Sequence, residues 1–404
     1  MKVLFLTITG VRNVSDRGLY TDLMRKFRDC GHEVYIACPI ERRHRLMTNL
    51  SVQNSIHILS IKTLNFQKTN VIEKGIGSLM IGYQFLRAIK KYYAKVKFDI
   101  VIYSTPPITF TDVIRYIKGK DHAVSYLLLK DIFPQNAVDL GMMKKNSMIY
   151  NFFRKKEKVL YSVSDHIGCM SPANINFVKK NNPSLNSNVL ELNPNTIEPL
   201  QSLVDIETRN TLRLKYNIPL DSTVFIYGGN LGKPQGISFL IDILQSNLTR
   251  ENCFFVIVGS GTEFPSIQDW FKRTNPNNAL LFKSMDKAEY DLLLQSCDVG
   301  LIFLDPRFTI PNFPSRILSY MECKMPILAA TDRNTDIGSI IEENRFGFWV
   351  ESGDNQGFDQ KLTSLVSNKD LIDEMGLRSY EFLMANYTVE VSYKQILKHI
   401  PKHV

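Results

Sequence analysis

The sequence predicts an α/β protein of two domains, each a parallel sheet covered by helices. Three observations predict it. Short β-branched runs alternate with longer stretches of helical period along the whole 404-residue chain. The rhythm pauses once, over 193–222, where Pro194, Pro199 and Pro219 sit among polar residues, and then restarts. In both halves a strand-like run leads straight into a glycine-bearing loop, Thr9-Gly10 in the first and Gly228-Gly229 in the second. Domains are therefore expected over 1–195 and 196–384.

The elements follow in order. Val3–Ile8 reads as the first strand. Gly18–Cys30 reads as the first helix, because Leu19, Leu23, Met24 and Phe27 share one face, and Gly31 ends it. Glu33–Ala37 is the second strand. Residues 71–96 form one or two helices with a basic end at Lys90, Lys91, Lys95 and Lys97. A strand at Asp99–Tyr103, a helix at 109–119 and a strand at Val124–Leu129 lead into the loop Lys130-Asp131-Ile132-Phe133-Pro134. Helix 146–162, strand His166–Met170, a short helix opened by Ser171-Pro172 and strand Val189–Leu192 complete this half. The stretch 193–222 reads as a linker. Beyond it come strand Thr223–Tyr227, a loop over 228–236, helix 237–246, and strand 253–258 running into Gly259-Ser260-Gly261. Further strands are expected at 279–283, 298–304, 326–330 and 347–350, and helices at 286–296, 314–323, 356–367 and 370–384.

Composition narrows the function. An apolar fraction of 44% with 22% charged residues suits a globular chain that buries a core without covalent staples. The six cysteines form no C-x-x-C pair and no zinc-like spacing to histidine, so they read as reduced core thiols. His32, His44, His57, His122, His166, His399 and His403 show no ligand spacing, and no metal or other cofactor is expected. No stretch reaches the roughly 20 apolar residues of a spanning helix, and the N-terminus lacks a signal-peptide pattern. A cytoplasmic protein, soluble or peripheral on the membrane's inner face, is expected. The net charge of +9 is uneven: residues 1–200 hold 29 Lys and Arg against 15 Asp and Glu, so the first half carries +14 and the second −5. The basic half suits an anionic surface or a phosphate-bearing partner. Aromatic and basic residues interleave over Tyr150–Lys158, which with Lys144 and Lys145 suits anionic lipid headgroups. No recognition-helix, RNP or zinc pattern supports nucleic-acid binding.

The second half carries an ordered set of motifs. Phe225 to Gly232 with Gln235-Gly236, Val256 to Gly261, Cys297-Asp298-Val299, and Phe313-Pro314-Ser315-Arg316 through Tyr320-Met321 to Pro326-Ile327-Leu328 resemble the GT-B glycosyltransferases of the family-4 retaining type. In the first half, Gly31-His32-Glu33-Val34 resembles the run after that family's first helix, and Asp131-Ile132-Phe133-Pro134 resembles the loop of amino-deoxysugar and N-acetylhexosamine transferases. The resemblance implies two Rossmann-like domains facing across a cleft. It implies a terminal helix over 385–404 that crosses back to the first domain. It implies a hexosyltransferase of capsule or O-antigen biosynthesis, taking a sugar from a nucleotide-sugar donor, UDP-linked, to a lipid-linked or oligosaccharide acceptor. The sequence also departs from the family. Its two signature glutamates correspond to Pro311 and Ser319, and Asn230 and Gln235 stand where Arg and Lys usually meet the donor phosphates.

Chemistry assigns roles to particular residues. A glycine-rich turn lets backbone approach a diphosphate, so Gly229, Asn230, Gly232 and Gln235, with Gly259 and Gly261, form the expected donor loop, and Lys233 is its cation. Pro314 and Ser315 open a helix whose first N–H groups are free to meet an anion, with Ser315 placed to cap it. By the resemblance, Ser319 stands where the family's ribose-binding glutamate lies. Arg316 is placed for a bidentate phosphate contact. Negative charge grows on the diphosphate as the glycosidic bond breaks, and fixed donors stabilise it without a metal. Asp131 is placed to orient or deprotonate the acceptor hydroxyl. The resemblance implies that Arg12, Arg17 and Asn195 lie on the acceptor side. A nucleotide-sugar epimerase of the same architecture and a degenerate transferase acting as a scaffold are the alternatives. A nicotinamide-dependent dehydrogenase is disfavoured, because Thr9-Gly10-Val11-Arg12 is not G-x-G-x-x-G.

Overall fold

Val3, Leu4, Phe5 and Leu6 have no exposed surface, as a strand covered on both faces requires. They belong to β1 (Lys2–Leu6), the centre of the first of two sheets. The computed structural model describes residues 1–67, 69 and 71–400. It divides into a first unit, Met1–Glu198 with Thr388–Val404, and a second, Pro199–Tyr387.

In the first unit β1 is followed by α1 (Leu19–Asp29), β2 (Glu33–Glu41), β3 (Asn49–Gln53), β4 (Ile56–Thr63), α2 (Val71–Tyr92), β5 (Ile100–Ser104) and α3 (Thr111–Asp121). Then come β6 (Val124–Leu129), α4 (Gln135–Asp139), α5 (Met148–Val163), β7 (His166–Cys169), α6 (Pro172–Asn181) and β8 (Leu190–Leu192). The strand order is β3-β4-β2-β1-β5-β6-β7-β8, parallel except for the edge strand β3. Val3 of β1 pairs with Val34 on one side and Ile100 on the other, so the chain turns from one side of β1 to the other between β4 and β5.

The second unit comprises α7 (Ile206–Lys215), β9 (Thr223–Asn230), α8 (Ile237–Ser246), β10 (Cys253–Ser260), α9 (Phe264–Thr274), β11 (Ala279–Phe282) and α10 (Lys287–Gln295). It continues with β12 (Val299–Phe303), α11 (Arg316–Glu322), β13 (Ile327–Thr331), α12 (Ile337–Glu343), β14 (Gly347–Glu351), α13 (Asn355–Val366) and α14 (Lys369–Asn386). Its six strands, all parallel, run β11-β10-β9-β12-β13-β14. Here the switch point lies between β9 and β12. The last helix, α15 (Val389–Leu397), belongs to the first unit and packs on α1. Tyr393 sets its ring edge-on to Phe27, and Ile396 is fully buried in that unit's core.

The structure corrects several expectations. The supposed linker over 193–222 contains α7, anchored from beneath by Asp298. Arg213, 5% exposed, donates from Nη2 to Asp298 Oδ2 at 2.6 Å and from Nε to the Ser296 carbonyl at 2.8 Å. A hairpin, β3–β4, fills a stretch to which no element was assigned, and α4, α9 and α12 are additional helices. Among the described residues no helix is long and apolar enough to cross a membrane. His403 and the end of the 385–404 segment lie outside the described residues.

Candidate active site

Open parallel sheets bind ligands beyond the carboxyl ends of the strands at the switch point. In the second unit that place is the end of β9, Gly228-Gly229-Asn230. Gly229 has φ +128°, a conformation side chains rarely adopt, and a Cβ there would lie 3.6 Å from the Arg316 guanidinium carbon. The second glycine turn is packed beneath the first: a Cβ on Gly259 would sit 1.9 Å from the Gly229 carbonyl oxygen. Gly259 and Gly261 thus serve the loop by letting backbone approach backbone. Glu263 N–H closes the turn on the Leu231 carbonyl at 2.8 Å. The Asn230 amide rests against Gly232 and Gly261.

Arg316, the first residue of α11, is the centre of this loop. Its guanidinium carbon lies 4.4 Å from the Tyr227 ring centroid, a cation–π contact. Nη2 donates to Gln235 Oε1, and Nη1 is buried without a hydrogen-bond partner. A buried donor without a partner costs roughly 1–3 kcal/mol, more when charged, a cost that an anionic ligand oxygen would offset. The surrounding tyrosines hold the backbone in place. Tyr227 Oη donates to the Asn230 carbonyl at 2.8 Å, and Tyr320 Oη accepts from Gly228 N–H at 3.2 Å while donating to the Leu301 carbonyl at 3.2 Å. Burial holds the Tyr290 and Tyr320 hydroxyls protonated, above their ordinary range. Sequence reasoning quoted Tyr227 and Tyr320 within the motifs but gave them no role, and it passed over Tyr290, which lies on α10, away from the motif glycines in sequence.

The other donor-side residues divide. Gln235 is buried in the short 3-10 turn Lys233–Gln235 and accepts from Arg316, whereas Lys233 is exposed. Pro314 lies half-buried ahead of α11. Ser315 does not cap it: the residue already has helical backbone angles, and its side chain makes no capping bond. Ser319 is half-buried on α11 and Pro311 is buried. Glu322 accepts from Leu200 N–H at 3.3 Å and so has a structural partner. Asp298 of the third motif also serves structure, accepting from Val224 N–H at 2.7 Å besides Arg213.

In the first unit Asp131 follows β6. Its backbone is pinned by Thr105, whose Oγ1 donates to the Asp131 carbonyl at 3.0 Å, and its carboxylate accepts from Asn136 Nδ2 at 2.8 Å on both oxygens. Burial pushes its pKa up to about 6. The neighbouring Lys130 points to β8, donating to the Asn193 carbonyl at 3.3 Å, and burial drives its pKa down to about 7. Sequence reasoning passed over Lys130, although a lysine directly extending the buried run Leu127-Leu128-Leu129 was the available signal. Asn195 is buried on the Lys130 side, where both line a small recess with Tyr20 and Thr196, and its Oδ1 has no partner. Arg17 Nη2 donates to the Glu198 carbonyl at 2.7 Å. Arg12 is exposed and lines a separate cavity of about 650 Å³ with Thr9, His44, Asn49, Ser51 and Gln53. Among the described residues no group of three His, Cys, Asp or Glu side chains is placed to hold a metal ion.

Two parallel-sheet α/β units, the second with a glycine-and-arginine loop at its switch point, define the class as GT-B. The fold is shared with Anabaena HepE solved in complex with UDP and glucose, at TM-score 0.71 and 14% identity over 98% of both chains. It is shared also with WaaG, a glycosyltransferase involved in lipopolysaccharide biosynthesis, at TM-score 0.67 and 11% identity over 99% of this chain and 100% of that one. In sequence the chain is 24% identical over 344 residues to the probable glycosyltransferase WbjE of Pseudomonas aeruginosa, covering 81% of this chain and 80% of that one. Residues 208–382 match the family described as Glycosyl transferases group 1. The second unit is thus similar to that family, and the protein is a glycosyltransferase.

Proposed function

We propose that the protein is a retaining hexosyltransferase that moves a sugar from a UDP-linked donor, held by the second unit, to a lipid-linked or oligosaccharide acceptor held by the first, in surface polysaccharide biosynthesis. The observation that carries this reading is the buried Arg316 Nη1, left without a partner beside Gly229 at the β9/β12 switch point. HepE, of the same fold, binds UDP and glucose, and WaaG acts in lipopolysaccharide biosynthesis, which supports donor and pathway class.

In this reading the bond from the anomeric carbon to the diphosphate breaks with its electron pair passing to the phosphate oxygen. Arg316, with Lys233 and the Gly229–Gly232 backbone, stabilises that charge. The acceptor oxygen bonds to the anomeric carbon on the same face, and its proton passes to the leaving phosphate or to Asp131. Arg12 and Asn195 lie on the acceptor side. No metal is required where cationic groups suffice.

The test is Arg316→Gln, assayed by UDP release from a panel of UDP-sugars with a lipid-linked acceptor. Loss of the guanidinium is expected to lower kcat/KM by roughly 10²–10³. Unaltered turnover in the variant, or no binding of UDP by the wild type, would overturn the reading.

A further inference from the structure

We propose that the first unit docks on an anionic lipid bilayer through the outer faces of α2 and α5, an inference that rests on the lipid-linked acceptor proposed above. Right-handed crossovers place α2, α3 and α5 on one side of the sheet, and α3 packs against both of the others. The inner side of α2 is fully used: Ile81 and Phe85 are buried, and Gly82 lies so close to the Thr109 carbonyl oxygen that a Cβ would stand 2.1 Å from it. Its outer side nevertheless exposes Ile76, Leu79, Met80 and Tyr83, a stripe at helical spacing. On α5, Tyr150, Leu160 and Tyr161 face inward. Met148 is 90% exposed, Ile149 61% and Phe152 45%, one turn ahead of Lys155 and Lys156.

The α5 residues lie at one edge. A helix that follows a parallel strand runs back from the strand's carboxyl end, and Met148, Ile149 and Phe152 all lie in the first two turns of α5, whereas the α2 stripe runs from Ile76 past the middle of that helix to Tyr83. The α5 residues are therefore placed toward the edge of the sheet that carries Asp131, where a membrane-borne acceptor has to arrive. Charge selects the partner. Over 140–158 the exposed Lys144, Lys145, Lys155, Lys156 and Lys158 face a single acid, Glu157, which is buried and paired with Arg154. Flexible methionines and an aromatic residue for the acyl boundary, ringed by lysines for headgroups, match an anionic interface.

Vesicle flotation tests the surface without any sugar substrate. The intact protein is expected to float with phosphatidylcholine–phosphatidylglycerol vesicles and to stay below with phosphatidylcholine alone. Met148→Ser with Ile149→Ser and Phe152→Ser, all exposed positions, is expected to weaken that binding about tenfold or more, and Lys155→Gln with Lys156→Gln to weaken it in a salt-sensitive way. The serine variant is expected to transfer sugar normally to a detergent-dispersed acceptor and slowly to the same acceptor in vesicles. Failure of the wild type to float, equal flotation of the serine variant, or self-association abolished by that variant in place of flotation, overturns the docking surface and leaves the transferase reading standing. Flotation without transfer to any acceptor overturns the transferase reading and leaves the surface.

Discussion

Asp131 is a carboxyl group moved into the range where a proton can be exchanged near neutrality. Burial raises its pKa from the ordinary 3.8 to about 6, against the opposing bond from Asn136. The sign has two consequences. Between those two values the folded protein binds the proton more than the unfolded chain does, so this group's contribution to stability falls as pH rises through the window. If the ionised form orients or deprotonates the acceptor, transfer is expected to climb as pH rises through about 6 and then level off. Asp131→Asn keeps the shape, removes that limb of the pH–rate profile, and is expected to lower the plateau by roughly 10²-fold. A wild-type profile flat from pH 5 to 8, or an unchanged profile in the variant, sinks the assignment. Arg316 differs in kind, since it stays charged throughout and its contribution is positional.

Elements were legible in the sequence where one period dominated. Helix 237–246 was read with the bounds that α8 has, because Ile237, Leu240, Ile243 and Leu244 repeat at helical spacing on a buried face. The buried strands of the second unit were legible because their apolar runs are continuous. The hairpin β3–β4 was not: β3 is a short edge strand with Leu50 and Val52 exposed, so burial imposes no clean alternation on it. α7 was hidden by prolines on either side and by its low apolar content. Its stability comes from a tertiary contact that local pattern cannot show, the Asp298 carboxylate gathering Arg209, Arg213 and Val224 N–H. The same limit applies to the glycine loop after β9: its glycines were visible as a motif, but the contacts of Tyr227, Tyr290 and Tyr320 around it and the packing role of Gly259 depend on elements that only the fold brings together. Asp298→Ala leaves the buried Arg213 without its counter-charge, bonded only to backbone carbonyls of Ser296, Leu220 and Ser222, and is expected to cost about 3–5 kcal/mol in denaturant melts, with Asp298→Asn costing less. A loss below 1 kcal/mol would show that α7 is held by other means.

At the scale of the whole molecule each unit builds a hydrophobic core of its own. One gathers Phe5, Phe27, Ile36, Ile102 and Tyr126 with Ile396 of α15, and the other Phe225, Leu240, Phe255, Phe303 and Phe358. Both tryptophans of the chain, Trp270 and Trp349, belong to the second unit, where Trp270 is 4% exposed and Trp349 Nε1 donates to Thr331 Oγ1 at 2.8 Å. Tryptophan fluorescence thus reports the melting of that unit, whereas far-ultraviolet circular dichroism reports both. If the donor nucleotide is held by the β9 loop and Arg316, UDP at about 100 times its Kd stabilises the second unit by roughly 2.7 kcal/mol. For a unit of this size that corresponds to a rise of about 5–10 °C in the fluorescence transition. Arg316→Gln should abolish most of that rise while leaving the ligand-free transition within a few degrees. A fluorescence transition that UDP does not move, while the circular-dichroism transition does move, places the nucleotide on the first unit and removes Arg316 from its binding.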